Sequence, residues 1–278
     1  MIIGIEGMGL IGGSCAKALK KYTSHTVLVS DKNTDVIKAA AENGACDGEL
    51  CSNDIGRCDI IIIALYPDDT VRFVDSIKDK VGENAVVTDF CGIKSRVCRA
   101  VEPIVKHKSF TYIGAHPMAG REYSGFARSD ADLFRGASLI MTPFAGTPED
   151  KTDFLFETLR PCGFSRPVIT DPLSHDKMIA YTSQLAHVVS NAYVKSPAAP
   201  LHDGFSAGSY KDLTRVARLN EDMWTQLFSE NREALIPEID GLAQRLMQYS
   251  NALKSGDDER LRQLLKEGRE TKERIDKD

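Results

Sequence analysis

The stretch GIEGMGLIGGS, Gly4 to Ser14, holds more glycine than a strand or a helix readily tolerates. Gly7, Gly9 and Gly12 follow one another at the spacing G-x-G-x-x-G. The apolar run Ile2-Ile3-Gly4-Ile5 precedes them, and Ser14-Cys15-Ala16-Lys17-Ala18-Leu19 follows. That order reads as strand, tight turn, helix.

Working outward, short β-rich runs alternate with helical patterns at the spacing of βαβ units. Strands are expected at 2–6, 26–30, 59–65, 84–88, 110–115 and 138–142, and helices near 13–21, 34–43, 70–79, 94–106 and 149–160. The continuous apolar run Ile60-Ile61-Ile62-Ile63-Ala64-Leu65 suits a strand covered on both faces, as in a parallel sheet. It is too short to cross a bilayer. After about Asp171 the pattern turns helical, with Met178, Ile179, Leu185, Val188, Val189 and Ala192 spaced as one buried face. Pro197 and Pro200 end that element, and further helices are expected at 208–219, 221–250 and 257–275. The last carries dense mixed charge and reads as a solvated helix packed along one edge. The expected architecture is α/β: a doubly wound, mostly parallel Rossmann-type sheet over residues 1–170, then an all-helical domain over 171–278.

Composition agrees with a globular enzyme of that size. The 278 residues are 42% hydrophobic, enough for a substantial core and two domains. A net charge of −5 offers no general polyanion-binding face, so nucleic acid is not an expected partner. Seven cysteines, odd in number and without a paired C-x-x-C, indicate neither a disulfide framework nor a metal site; they read as reduced thiols of a cytoplasmic protein. No secretory leader and no membrane segment are expected.

The glycine loop then gains a chemical reading. In a dinucleotide site the first glycine makes the tight turn, the second lets the backbone approach the pyrophosphate, and the third allows close packing of helix on strand. Asp31 ends the next strand, 19 residues beyond Gly12, where a carboxylate accepts hydrogen bonds from ribose hydroxyls and repels a 2′-phosphate. The cofactor-binding candidates are Gly7, Met8, Gly9, Leu10, Ile11, Gly12, Asp31, Lys32 and Leu65. Asp31 favours NAD, while Lys32 beside it keeps NADP open.

A second informative stretch, Gly114-Ala115-His116-Pro117-Met118-Ala119-Gly120-Arg121-Glu122, follows the expected strand Phe110 to Ile113. Groups just past the carboxyl ends of strands face the ligand crevice in a doubly wound sheet, which puts His116 near a bound nicotinamide. Oxidising an alcohol requires a base for its proton, and the ordinary histidine pKa of about 6.5 suits that task.

With these residues assembled, the chain resembles the prephenate/arogenate dehydrogenases of tyrosine biosynthesis. The resemblance rests on Gly7 to Ser14, Thr88-Asp89-Phe90-Cys91-Gly92-Ile93-Lys94, His116 to Glu122, Ser174-His175-Asp176 through Ser183-Gln184-Leu185-Ala186-His187, and Lys211-Asp212-Leu213-Thr214-Arg215 with Trp224. These motifs run in the family's order over residues 1 to about 231; beyond Asn231 only helical character matches. The resemblance implies NAD-dependent oxidative decarboxylation of prephenate or arogenate, with His116 as the catalytic residue and Arg215 as a carboxylate ligand. It further implies a substrate-lining His187, a Glu122 that gates the site or forms a salt bridge, and a homodimer built through the helical domain. Trp224 is expected to pack a helix or an interface, and Asp89 and Lys94 to shape their loop.

Two departures stand out. The family's Gly-Ser after Thr-Asp-x is here Cys91-Gly92, so the serine hydroxyl expected near His116 is missing, and water or Cys91 is left to orient the ring. Gly92 stays among the substrate-side candidates. Arg121 replaces a small hydroxyl residue and is expected to bind a substrate carboxylate or pair with Glu122. A β-hydroxyacid dehydrogenase or imine reductase of the same architecture, and a non-catalytic NAD sensor, remain open at this point. No residue plainly reads the keto or amino group that separates prephenate from arogenate, and no separate regulatory domain for tyrosine inhibition is evident.

Overall fold

The computed structural model describes residues 1–121 and 123–277, so Glu122 and Asp278 lie outside the described residues. Strand β1 (Ile2–Glu6) runs into the glycine loop, which feeds helix α1 (Leu10–Tyr22). The pattern repeats through β2 (Thr26–Ser30), α2 (Thr34–Glu42), the short β3 (Gly48–Glu49), β4 (Ile60–Ile63), α3 (Pro67–Ile77), β5 (Val86–Asp89) and α4 (Ser95–Val105). Local chemistry sets the starts of these helices. The Asn33 side chain accepts from the amide of Asp35 to cap α2, and Pro67 occupies the first turn of α3, where a missing N–H costs nothing.

Among the described residues the strands form one sheet in the order β3-β2-β1-β4-β5-β6-β7-β8, completed by β6 (Thr111–Pro117), β7 (Ser138–Pro143) and β8 (Arg166–Ile169), with α5 (Glu149–Leu159) between the last two. All neighbours are parallel except β6 and β7. The isoleucines of β4 show why its sequence is continuously apolar. Ile60 and Ile62 join the core on one face of the sheet, Ile61 and Ile63 the core on the other, and all four are fully buried.

Several features differ from the sequence reading. Strand β7 runs antiparallel to β6, and because it pairs His116 with Ile140 and Pro117 with Leu139, it extends β6 past the end of its parallel neighbour. His116 therefore sits within a strand rather than beyond one. Strands β3 and β8 were not anticipated: β3 has two residues, and β8 contains Pro167, which its edge position accommodates. The expected helix over 221–250 is two helices broken at Asn231.

The helical region begins at α6 (Pro172–Ile179), capped by the Asp171 carboxylate, which accepts from the amides of Leu173 and Ser174. A π-helical turn, Ala180–Gln184, joins α6 without interruption to α7 (Leu185–Tyr193). Then come α8 (Gly208–Thr214), shorter than the expected 208–219, α9 (Glu221–Glu230), α10 (Arg232–Ser255) and α11 (Asp258–Ile275). A small apolar cluster around Ala180, Leu185 and Leu235 holds α7, α9 and α10 together.

Candidate active site

The strand order reverses direction between β1 and β4, and ligands of doubly wound sheets bind in the crevice outside the carboxyl ends of the strands at such a point. The glycine loop fills one side of it. Gly7 has φ +89, and a Cβ there would lie 2.6 Å from the Ala64 carbonyl oxygen; one on Gly12 would lie 1.9 Å from that of Gly7. Neither position admits a side chain. A Cβ on Gly9 would meet nothing within 4 Å, so open space lies over the start of α1, where unpaired amides favour a phosphate. Leu65 packs on the turn, its Cδ2 2.7 Å from the place of a Gly7 Cβ. Met8 is buried, Leu10 and Ile11 are half-buried, and Lys32 is exposed. Asp31 braces the loop: Oδ2 accepts from the Met8 amide at 2.7 Å and Oδ1 from the Asn33 amide at 2.9 Å. These residues fit a dinucleotide.

Beyond β5 lies a buried polar cluster. The ammonium of Lys94, fully buried, pairs with Asp89 and donates to the carbonyl of Ala115 at 2.6 Å. Burial works against its charge, but the neighbouring Asp89 carboxylate prevails and holds its pKa above the ordinary 10.5. Tyr112 donates to the other Asp89 oxygen at 2.6 Å, and the Cys91 amide donates to Oδ1 at 2.9 Å. The Cys91 thiol bonds Thr70 Oγ1 at 3.3 Å and the Leu65 carbonyl at 3.4 Å. Burial pushes that thiol's pKa well up, so it stays protonated.

His116 is oriented by a residue to which the sequence reading assigned no role. Its Nδ1 stands 2.9 Å from Nε2 of His175, whose own Nδ1 stands 2.7 Å from Oδ1 of Asp176. Asp176 is in turn fixed by the amides of Lys94, at 2.7 Å, and Ser95, at 2.8 Å, so its carboxylate also caps α4. The sequence did carry a signal: a His-Asp dipeptide in the first turns of a helix whose Asp171-Pro172 start is plain. What it could not supply was the partner, 59 residues away.

The Nε2 edge of His116 lies beside Gly92. A Cβ on Gly92 would lie 3.9 Å from His116 Nε2 and equally far from Leu227 Cδ2. One turn back on α9, Trp224 packs at a tilt against His187 with ring centroids 4.1 Å apart and meets Phe228 at 5.2 Å. His187 also donates from Nδ1 to the Ser183 carbonyl at 2.9 Å. On the next turn of α7, Asn191 donates to the carbonyl of Ala217 at 3.1 Å, two residues past Arg215, which caps α8. Contacts thus run from α9 through α7 to the segment carrying Arg215, while His116 and Leu227 of α9 both border the place of a Gly92 Cβ. Arg121 forms an ion pair with Asp130 at 2.6 Å; the Asp130 amide donates to Ser14 Oγ at 2.9 Å, which sets this arginine's loop against α1.

A family model described as "Prephenate dehydrogenase, nucleotide-binding domain" matches residues 15–166, and one described as "Prephenate dehydrogenase, dimerization domain" matches residues 171–267. The prephenate dehydrogenase of Lactococcus lactis subsp. cremoris is 25% identical, over 98% of this chain and 77% of that protein. The cyclohexadienyl dehydrogenase of Zymomonas mobilis subsp. mobilis is 26% identical, over 97% of this chain and 94% of that protein. A crystal structure of prephenate dehydrogenase from A. aeolicus, in complex with hydroxyphenyl propionate and NAD+, is similar with a TM-score of 0.86 at 26% identity, covering 99% of this chain and 98% of that one.

Proposed function

Because the chain belongs to the prephenate dehydrogenase family, we propose that its cleft carries out the NAD-dependent oxidative decarboxylation of a cyclohexadiene acid, prephenate to 4-hydroxyphenylpyruvate or arogenate to tyrosine. The observation that carries this reading is the disposition of His116: Nδ1 is engaged by His175, while Nε2 faces the space beside Gly92. Bound NAD supplies the acceptor for the hydride.

His116 takes the proton of the ring hydroxyl. Burial, followed by the neighbouring His175 and the charge of Lys94, holds its pKa well below 6.5, so the ring is neutral and ready to accept at neutral pH. Arg215 binds a substrate carboxylate, a pairing that guanidinium geometry favours. His187 and Trp224 form an aromatic wall, and Gly92 leaves room for the substrate ring. Arg121, tethered by Asp130, places a second cation at the loop that packs on α1. Glu122, which lies outside the described residues, keeps the role the resemblance implies, gating the site or forming a salt bridge.

The helical region pairs two copies of the chain. Its match to a dimerization domain supports this, as do the exposed Leu201 and Phe205, 75% and 91% accessible. The division into a cofactor-binding domain over 1–170 and a substrate-binding and dimerisation domain over 171–278 belongs to the same reading. No helix among the described residues is long and apolar enough to cross a membrane. All seven cysteines are free thiols, which supports a cytoplasmic location.

The test is a comparison of initial rates with prephenate and arogenate, each with NAD+ and NADP+. Reduced cofactor and CO2 should form together, faster with NAD+, and His116→Asn should abolish turnover while cofactor affinity stays intact. No rate with either acid would overturn the reading.

A further inference from the structure

We propose that His175 and Asp176 are positioning residues that set which nitrogen of His116 carries a hydrogen, and that they take up the charge when His116 is protonated. This deepens the reading of His116 as the base and rests on it. The argument starts from the carboxylate. Asp176 already accepts from two backbone amides, at 2.7 and 2.8 Å, and its pKa lies below the ordinary 3.8. Burial acts to raise that value, but the hydrogen bonds from His175 and from the amides of Lys94 and Ser95 outweigh it. An ionised carboxylate only accepts. The hydrogen in the 2.7 Å contact must therefore be on Nδ1 of His175.

The rest follows by exclusion along the chain. His175 is neutral, since burial keeps its pKa below 6.5, so with Nδ1 protonated its Nε2 is an acceptor. The 2.9 Å contact then requires the hydrogen on Nδ1 of His116. A neutral His116 with Nδ1–H has its free electron pair on Nε2, the edge beside Gly92. A carboxylate two rings away thus dictates that the cleft meets a base and not a donor.

The same chain balances the proton taken up. When the substrate hydroxyl gives its proton to Nε2 of His116, the hydrogen on Nδ1 can pass to Nε2 of His175. His116 is then neutral in its other tautomer, and His175 is an imidazolium with Nδ1–H still bonded to Asp176. The surrounding charges favour that placement. Lys94 works against a positive charge on either ring, while Asp176 touches His175 directly and Asp89 adds to the attraction. The side chain of His175 is fully buried, so the charge is stored away from solvent until it returns through His116.

The experiment is Asp176→Asn and His175→Gln in the full-length chain, read in two ways. Histidine-labelled protein reports by nitrogen NMR which ring nitrogen of His116 is protonated, without any substrate. An amide at 176 can donate to Nδ1 of His175, which would reverse both tautomers and present N–H to the cleft. Replacing the carboxylate of an aspartate–histidine pair by amide has this effect in serine proteases, at a cost of about 10⁴-fold in kcat. The expected results are Nδ1–H on His116 in the wild type and Nε2–H in Asp176→Asn. The rate kcat/KM should fall at least ~100-fold in that variant, with NAD+ affinity within about twofold of wild type. Because Asp176 also caps α4, His175→Gln, which leaves that cap intact, provides the second measurement. It should lower kcat much more than it raises KM and displace the acid limb of the pH profile. An unchanged His116 tautomer in Asp176→Asn, or kcat within about threefold of wild type in His175→Gln, would overturn the proposal. If the wild type turns over neither acid, the functional reading fails by itself, and the tautomer measurement still decides this one.

Discussion

At the scale of single residues, burial and charge decide what each group can do. Cys91 stands where the sequence suggested a partner for His116, yet its thiol is taken by Thr70 and Leu65, and the His116 ring is held by His175. For His116 the sequence offered two arguments for a ligand crevice, its flanking motif and its place near a strand end. His175 was not legible, since an imidazole's partner is set by how two distant segments pack. Arg215 was read from its motif alone. Replacing it with alanine should raise KM for the cyclohexadiene acid at least about tenfold with a smaller effect on kcat, as removal of a charge-assisted hydrogen bond worth ~1.5–3 kcal/mol requires. Steady-state kinetics at saturating NAD+ would show it, and an unchanged KM would remove Arg215 from the substrate site.

At the scale of elements, the π turn in the α6–α7 helix has a geometric consequence. In an unbroken α-helix, residues as far apart as His175 and His187 are rotated by about 120° from each other; one extra residue absorbed in a π turn reduces this to about 20°. The two histidines therefore share a face, one toward His116 and the other toward Trp224. Gln184, the last residue of the turn, is pinned by Asn231: the Asn231 amide donates to Gln184 Oε1 at 2.8 Å and to the Asp176 carbonyl at 2.9 Å, while Gln184 donates to the Leu227 carbonyl at 3.2 Å. Both side chains are buried. Asn231→Ala should cost about 1–3 kcal/mol in denaturant unfolding, since it strips partners from polar groups that water does not reach. The sequence pattern predicted helix straight through Asn231 because apolar periodicity continues on both sides; the break exists because that side chain has buried work to do elsewhere. The direction of β7 was hidden for a related reason. Alternation identifies a strand, but parallel or antiparallel pairing depends on the path between strands.

At the scale of the whole molecule, the histidine pair ties stability to pH. Burial holds the pKa of both His116 and His175 below the ordinary 6.5, so the unfolded chain binds more protons than the native one once the pH drops beneath that value. Their contribution is fully present above 6.5 and is lost as the pH falls toward the native pKa values. The melting temperature should therefore decline between about pH 7 and about pH 5, and less steeply in His175→Gln. Calorimetry across that range would show it, and equal slopes in the two proteins would refute the assignment. The doubly wound half was largely readable from glycine spacing and apolar runs, which are local signals. The floor and roof of the cleft differ in kind. His116 hangs from a strand laced to β7 along its last residues, whereas Leu227, beside Gly92, and Trp224 belong to a ten-residue helix packed through its side chains. Movement that admits a ring-sized guest should come from the helix and not from the paired strand, which would leave the His116 ring as a fixed anvil against which each new molecule is set.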